Sequence, residues 1–184
     1  MKPVSISGEI CILAGGLSSR MGRDKVRLRC RGKSLLQHVK GAAQKSPWPV
    51  RVIRRDLVAR CGPLGGIYTA LKTTRFDVLL FLACDMPFVT GDLIGRFLEL
   101  REPAFTHGSE GAGFPFLLRK SALSLVEKQI AVQRYSIQLL AKKLRARKVK
   151  PRDAREIFNV NTPEDWTLAL KNADASARRP YRGF

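Results

Sequence analysis

A glycine- and serine-rich loop with basic residues follows the first apolar run of the chain. Residues 9–14 read Glu-Ile-Cys-Ile-Leu-Ala, and residues 15–25 read Gly-Gly-Leu-Ser-Ser-Arg-Met-Gly-Arg-Asp-Lys. Glycines let backbone N–H groups approach an anion closely, and the serine hydroxyls add further donors. Arg20 and Lys25 add positive charge, and arginine can hold a phosphate through two parallel hydrogen bonds. The loop predicts a cradle for a triphosphate; an ordinary glycine turn with solvated basic side chains is the alternative.

Asp85 follows the most apolar segment of the chain, residues 78–82. A carboxylate at the end of a buried strand is costly unless something compensates its charge. Mg²⁺ is a natural compensation, because it takes one or two carboxylates together with water and substrate phosphates. The position predicts a metal ligand, and a capping or loop aspartate is the alternative.

Two further motifs carry groups that could contact a nucleotide or its acceptor. Residues 62–66 read Gly-Pro-Leu-Gly-Gly and are preceded by Asp56. This segment could hold a base or a ribose against its backbone, or be a tight loop before a helix. Alternation places Asn159 and Asn161 on the same side of a strand end, where their amides could orient a phosphate or help to bind a metal. Asx-type capping of the following helix is the alternative for this pair.

Several well-known catalytic patterns are absent. The chain has no Gly-x-x-x-x-Gly-Lys-Ser/Thr, Gly-x-Gly-x-x-Gly, Gly-x-Ser-x-Gly or Ser-x-x-Lys sequence, and it has only two histidines. These absences argue against a P-loop NTPase, a dinucleotide-binding fingerprint, a covalent hydrolase and a zinc protease.

Strand-like and helix-like patterns alternate along the chain, which predicts an α/β fold. Strands are expected at 9–14, 26–30, 50–53, 77–83 and 114–118. Helices are expected after Ser34, from Ile67, after Thr90 or Asp92, near 121–130, at 136–147 and after Thr162. In open α/β sheets ligands bind beyond the carboxyl ends of the strands, so we expect the motifs to meet at that edge. We assign residues 1–174 to one domain and 175–184 to a flexible basic tail.

The charge balance is unusual, since 34 basic and 15 acidic residues give a net charge of +19. Such a surface attracts nucleic acid, anionic membranes or small phosphorylated substrates, or is simply solvated. No apolar run approaches the roughly 20 residues of a membrane span, and no leader peptide is evident. Aromatic residues are not interleaved with the basic ones, so nucleic acid is an unlikely partner. The four cysteines form no Cys-x-x-Cys pair, which favours free thiols and a cytoplasmic location.

Taken together, the four motifs resemble those of the molybdenum cofactor guanylyltransferase (MobA-like) family of nucleotidyltransferases. They occur in the family's order and span most of the chain. The resemblance implies a Rossmann-like three-layer nucleotidyltransferase fold with a mostly parallel mixed sheet. It also implies a reaction in which GMP passes from GTP to the terminal phosphate of molybdenum-molybdopterin. That reaction forms the guanine dinucleotide form of the cofactor and releases pyrophosphate.

The resemblance assigns roles to individual residues. The expected nucleotide contacts are Leu13, Ala14, Gly15, Gly16, Lys25, Asp56, Gly62, Pro63, Leu64 and Asp85. Arg20, Lys25 and Asp85 would be catalytic, because they stabilise charge on the phosphates, and Asp85 would also bind Mg²⁺. Asn159 and Asn161 would face the acceptor.

The same resemblance implies partners and leaves alternatives open. GTP and molybdenum-molybdopterin would be the substrates, with transient contacts to molybdopterin-synthesis proteins or molybdoenzyme chaperones. A related nucleotidyltransferase with another base or acceptor, such as a cytidylyltransferase or a sugar-phosphate enzyme, is the first alternative. A non-enzymatic polyanion-binding protein that uses the basic segments 142–155 and 178–182 is the second.

Overall fold

A computed structural model of the chain describes residues 8–15 and 28–177, with side chains as far as residue 173. Eight strands and six α-helices are present in these ranges, together with short 3-10 turns. The strands are β1 (Gly8–Leu13), β2 (Arg29–Cys30), β3 (Lys33–Ser34), β4 (Val50–Ile53), β5 (Val78–Ala83), β6 (Ala104–Gly108), β7 (Gly111–Arg119) and β8 (Arg147–Val149). The helices are α1 (Leu35–Ala43), α2 (Pro63–Thr73), α3 (Gly91–Leu98), α4 (Leu123–Ala131), α5 (Ile137–Lys143) and α6 (Pro163–Ala177). None of these helices is long and apolar enough to cross a membrane.

Six strands form one sheet in the order β4-β1-β5-β7-β6-β8, and β2 pairs with β3 in a separate hairpin. Strand β1 is parallel to both neighbours, β7 is antiparallel to β5 and β6, and β8 is parallel to β6. Five strands therefore share one direction and only β7 opposes them. This confirms the expected mostly parallel mixed sheet.

Helices cover both faces of the sheet, as the strand patterns require. On one face Ile10 and Leu80 pack against residues of α1 and α3. On the other face Cys11, Leu79 and Phe81 pack against residues of α2, α4 and α5. Successive residues of β1 and β5 are buried on opposite faces, which explains why both segments are continuously apolar. The structure confirms the expected three-layer α/β fold.

Local sequence signals correctly predicted several helix starts. Ser34 caps α1, and the side-chain oxygen of Gln37 accepts a hydrogen bond from the Ser34 N–H, completing a capping box. Thr90, rather than Asp92, caps α3. Thr162 and Asp165 cap the start of α6 reciprocally, at 3.1 and 2.9 Å.

Other boundaries differ from the expectations. Helix α2 begins at Pro63 rather than Ile67, and of residues 26–30 only Arg29 and Cys30 are described as strand. Strands β6 and β8 were not expected. Helix α6 continues to Ala177, three residues into the segment that we assigned to the tail, and residues 178–184 lie outside the described residues.

The helix expected at 136–147 ends at Lys143, because the chain turns back on itself at Arg145. Arg145 adopts a left-handed φ of 48°. The N–H of Ala146 then donates to the carbonyl of Ala141 at 3.0 Å, as in a Schellman motif. Glycine usually occupies this left-handed position, so an arginine there gave no sequence signal for the end of the helix.

A buried ion pair ties the sheet to the end of α2. The guanidinium of Arg51 donates two hydrogen bonds of 2.8 Å to the Glu9 carboxylate. Thr74 donates to the same carboxylate at 3.1 Å. The adjacent Cys11 thiol is buried, and its burial raises its pKa far above the usual range. The strands β1 and β4 are therefore joined by side-chain bonds as well as by the backbone ladder.

We predict that Arg51→Met lowers the free energy of unfolding by about 3 kcal/mol, because it leaves the Glu9 carboxylate buried without its cation. Equilibrium urea denaturation measures the loss. The matched control is Lys72→Met, which removes an exposed pair with Glu127 of 3.7 Å and should cost less than about 1 kcal/mol. Equal losses in the two variants would contradict the structural role given to the Glu9–Arg51 pair.

Candidate active site

The three parallel strands β4, β1 and β5 end side by side. Leu13 is in register with both Ile53 and Ala83. The pairing continues one residue further, because Ala14 N–H donates to the Ile53 carbonyl at 2.8 Å and Cys84 N–H donates to the Leu13 carbonyl at 3.1 Å. The chain therefore leaves all three strands at one edge, where Gly15 begins the glycine-rich loop.

Asp56 lies directly against Gly15 and against the start of α2. A Cβ placed on Gly15 would lie 3.3 Å from Oδ1 of Asp56, and a Cβ on Gly65 would lie 2.7 Å from Oδ2. Partial burial of Asp56 raises the pKa of its carboxyl group. Burial therefore disfavours the ionised form, so at neutral pH the carboxylate costs stability rather than adding to it.

The Gly-Pro-Leu-Gly-Gly motif forms the turn and the first residues of α2. Gly62 has a left-handed φ of 53°, and Pro63 is the first helical residue, where its missing N–H is not needed. A Cβ on Gly66 would lie 3.1 Å from the side chain of Leu13. The side chain of Leu64 is fully buried in the core, so only its backbone can face a ligand.

Asp85 and the asparagine pair lie on adjacent segments. The N–H of Val160, which separates Asn159 from Asn161, donates to the carbonyl of Asp85 at 2.9 Å. Val160 is completely buried, while both asparagines are exposed. The buried Val160 thus separates two exposed asparagines, although residues 159–161 form no strand. The backbone bond brings this pair beside the loop that carries Asp85.

A cleft of about 800 Å³ opens at this edge of the sheet. Pro63 of the nucleotide-type motif and the two asparagines line it together. The β6–β7 hairpin and the turn before α5 complete its walls. Their lining residues include Thr106, Gly108, Ser109, Glu110, Gly111, Ala112, Gly113, Phe114, Tyr135, Ser136, Ile137 and Gln138.

Most of this cleft was not found by sequence reasoning. The hairpin residues match no catalytic motif, and β6 itself was missed. The three glycines in residues 108–113 were the available signal, because a glycine-rich hairpin exposes backbone that a ligand can approach closely. Gly65 and Gly66 were recognised as part of a motif, but their contact with Asp56 and Leu13 emerges only from the packing of α2.

The structure brings together only some of the residues that we expected to form the site. One group lies at the end of β1 and the start of α2, and it comprises Leu13, Ala14, Gly15, Asp56 and the turn at 62–64. Asp85 lies beside the asparagine segment, to which a backbone hydrogen bond joins it. Gly16, Arg20 and Lys25 lie outside the described residues. Their approach to Asp85 therefore stays a prediction.

The donor set can be compared with the needs of a divalent cation. Among the described residues, no three His, Cys, Asp or Glu side chains are grouped to form a complete protein cage. Mg²⁺ does not need one, because it usually combines one or two carboxylates with waters and substrate phosphates. Asp85, at the carboxyl end of β5, fits that mode of binding as the single protein carboxylate.

The basic segment 142–155 lies around β8, next to the cleft. Lys142, Arg145, Arg147 and Lys148 line a second recess of about 500 Å³. Some arginines of the basic segment form ion pairs within the protein, since Arg147 pairs with Glu102 at 3.7 Å and Arg152 pairs with Asp92 at 2.9 Å. The recess adds positive potential beside the cleft, which attracts anions over a distance set by ionic strength.

Comparisons with known proteins match most of the chain. Residues 10–148 match the family model described as the MobA-like NTP transferase domain. A molybdenum cofactor guanylyltransferase of Vibrio cholerae serotype O1 is 32% identical, with 84% of this chain and 87% of the relative covered. A probable molybdenum cofactor guanylyltransferase of Pelotomaculum thermopropionicum is 27% identical, with 90% and 93% covered.

The fold also has solved counterparts. The crystal structure of the molybdopterin-guanine dinucleotide biosynthesis protein A of Archaeoglobus fulgidus superimposes with a TM-score of 0.71 at 19% identity. The match covers 91% of this chain and 99% of that one. At this identity the likeness concerns the fold.

We predict that Gly65→Ala destabilises the protein by about 1–3 kcal/mol, because the new methyl group would lie 2.8 Å from the Val58 carbonyl oxygen as well as against Asp56. Gly95→Ala is the matched control, since it also lies inside a helix and its Cβ would meet nothing within 4 Å. Alanine there should stabilise the protein by about 0.5–1 kcal/mol. Urea denaturation compares the two, and a stabilised Gly65→Ala variant would disprove the close packing of α2 on Asp56.

Proposed function

Because the chain belongs to the family of MobA-like NTP transferase domains, we propose that it transfers GMP from GTP to the terminal phosphate of molybdenum-molybdopterin. The products are the guanine dinucleotide form of the cofactor and pyrophosphate. The main support is that one cleft is lined both by Pro63 of the nucleotide-type motif and by the Asn159–Asn161 segment beside Asp85. Donor and acceptor would thus meet in a single space.

In this proposal GTP binds at the edge formed by β1, β4 and the start of α2. The backbone at Leu13, Ala14 and Gly15 and the turn at 62–64 contact the nucleotide, and Gly16 continues this surface. Asp56 is a nucleotide contact as well. Its raised pKa supports this role, because a carboxylate that does not stabilise the fold fits a residue that binds a ligand. Arg20 and Lys25 neutralise the phosphates.

The acceptor enters from the cleft, with its terminal phosphate near Asn159 and Asn161. Neutral amides orient a phosphate without repelling it. No general base is required, because the attacking phosphate is already ionised, and the protein has mainly to align the reactants and neutralise charge. Arg20 and Lys25 stabilise the charge that grows on the departing pyrophosphate.

Asp85 is the residue that would hold Mg²⁺. The cation, when bound, neutralises charge on the nucleotide phosphates and helps to fix their geometry. The bond from Val160 N–H to the Asp85 carbonyl supports this role, because it holds the loop that carries the carboxylate beside the asparagine segment.

The cellular setting follows from the same proposal. The four cysteines are free thiols in the described structure, which fits a cytoplasmic enzyme in a reducing compartment. The acceptor would reach the cleft through transient contact with molybdopterin-synthesis proteins, and the product would leave through molybdoenzyme chaperones.

The function is tested by incubating the protein with molybdenum-molybdopterin, Mg²⁺ and each of the four nucleoside triphosphates. We expect pyrophosphate release and dinucleotide formation with GTP, at a rate at least tenfold above that with CTP, ATP or UTP. Omitting the acceptor should abolish release. Preference for CTP would instead assign the chain to a cytidylyltransferase, and release of no pyrophosphate with any nucleotide would contradict the proposal.

Asp85→Asn should lower the transfer rate by roughly 10²–10³-fold, the usual scale for removing one electrostatic stabiliser of a transition state. Chelation of divalent cations should abolish the wild-type rate. The matched control is Asp77→Asn. Asp77 directly precedes the first residue of β5, far from the proposed site, so this variant should keep wild-type activity. An Asp85→Asn variant with full activity would remove the metal role from this residue.

A further inference from the structure

Two carboxylates line the cleft of about 800 Å³, and they differ in their hydrogen-bond partners. Oδ2 of Asp165 accepts hydrogen bonds from the N–H groups of Asn161 and Thr162, both at 2.9 Å, so it is used in capping α6. Glu110 also lines the cleft. Within the described part of the chain it forms no ion pair and accepts no hydrogen bond, despite the excess of basic residues. Its carboxylate is therefore available to a ligand.

The backbone holds Glu110 in a defined place. Gly108 and Gly111 are paired in the ladder, so Ser109 and Glu110 are the two central residues of the β6–β7 turn. Gly111 has a left-handed φ of 98°. A Cβ on Gly108 would lie 2.7 Å from Cδ1 of Ile157, which shows how closely the hairpin packs on the neighbouring segment.

The cleft that Glu110 lines also has aromatic walls. Phe114, Tyr135 and Phe158 all line it. Phe114 packs against Phe116 with ring centroids 4.7 Å apart, and Phe158 packs against Phe88 at 6.3 Å, so both rings are held by a second ring. Aromatic side chains bind planar heterocycles by stacking, and the glycines of the hairpin leave room for close approach.

A carboxylate that shares a cleft with aromatic rings favours a particular kind of heterocycle. It only accepts hydrogen bonds, and its two oxygens match a pair of parallel N–H donors. The 2-amino-4-oxo edge of a pterin presents such a pair, the ring N3–H and the exocyclic amino group. We infer that Glu110 binds this edge of the acceptor's pterin and so determines acceptor specificity, an inference that rests on the proposed function.

Two soluble heterocycles test this assignment, namely pterin (2-amino-4-oxopteridine) and lumazine (2,4-dioxopteridine). Both are fluorescent, so binding is measured by titration with the full-length protein. In lumazine an oxygen replaces the amino group and would face the carboxylate with an acceptor. The wild-type protein should bind pterin about tenfold or more tightly than lumazine, because the mismatched group is left unpaired.

The variant Glu110→Gln should abolish this preference, because an amide offers one acceptor and one donor, which match the N3–H and an adjacent oxo group in either ring. Glu164→Gln, on the exposed start of α6, is the matched control and should keep the wild-type preference. Affinity for GTP with Mg²⁺ and the melting temperature should be the same in all three proteins.

Several results would overturn the inference. Equal binding of the two probes by the wild-type protein, or no measurable binding of either, contradicts it. So does an unchanged preference in Glu110→Gln, or a loss of GTP affinity in that variant, which would place the residue at the guanine instead. A protein that transfers GMP but shows no pterin preference refutes the role of Glu110 alone, whereas failure of the transfer assay refutes the proposed function.

Discussion

The site depends on the register of β1 with its two parallel neighbours. Backbone hydrogen bonds set Leu13 beside Ile53 and Ala83, so the segments carrying Gly15, Asp56 and Asp85 all start from one edge. A slip of one residue would turn every side chain of a strand to the opposite face, where it would not fit the helices packed there, so packing on both faces fixes this register. The chemistry at the edge is thus positioned by the same hydrophobic burial that stabilises the sheet.

The close approach of α2 to β1 has a cost at the Asp56 carboxyl group. Gly65 and Gly66 let the helix reach Asp56 and Leu13 at distances that a methyl group would obstruct. The approach partly desolvates the Asp56 carboxyl group and raises its pKa. A fold selected only for stability would favour a neutral side chain at this position, because a desolvated carboxylate without a cation is unfavourable.

The single antiparallel strand explains how one edge of the sheet carries two kinds of surface. Strand β6 runs in the direction of β5, and β7 runs against it, so the β6–β7 turn lies at the same edge as the carboxyl ends of the parallel strands. The parallel half of the sheet presents the glycine-rich loop and the start of α2. The hairpin presents backbone, the ring of Phe114 and a carboxylate, which differ from the groups on the parallel half.

The sequence alone determined the features that depend on local chemistry. Continuous apolar runs identified β1 and β5, Ser34 and Thr90 were recognised as caps, and the glycine and asparagine motifs indicated a nucleotide-type edge. These signals are visible in the sequence because an apolar run and a helix cap each involve only residues that are near one another in the chain. The start of α2 was placed four residues late, and the end of α5 was missed because an arginine occupies its left-handed turn.

Only the tertiary structure decided which distant residues share the cleft. Strands β6 and β8 are short or irregular, and their pairing depends on partners distant along the chain rather than on their own periodicity. The contact of Asp56 with Gly65, and the meeting of Pro63, Glu110 and Asn161 around one space, arise from long-range packing. Local propensity carries no information about such contacts, because it does not encode which strands and loops become neighbours when the sheet forms.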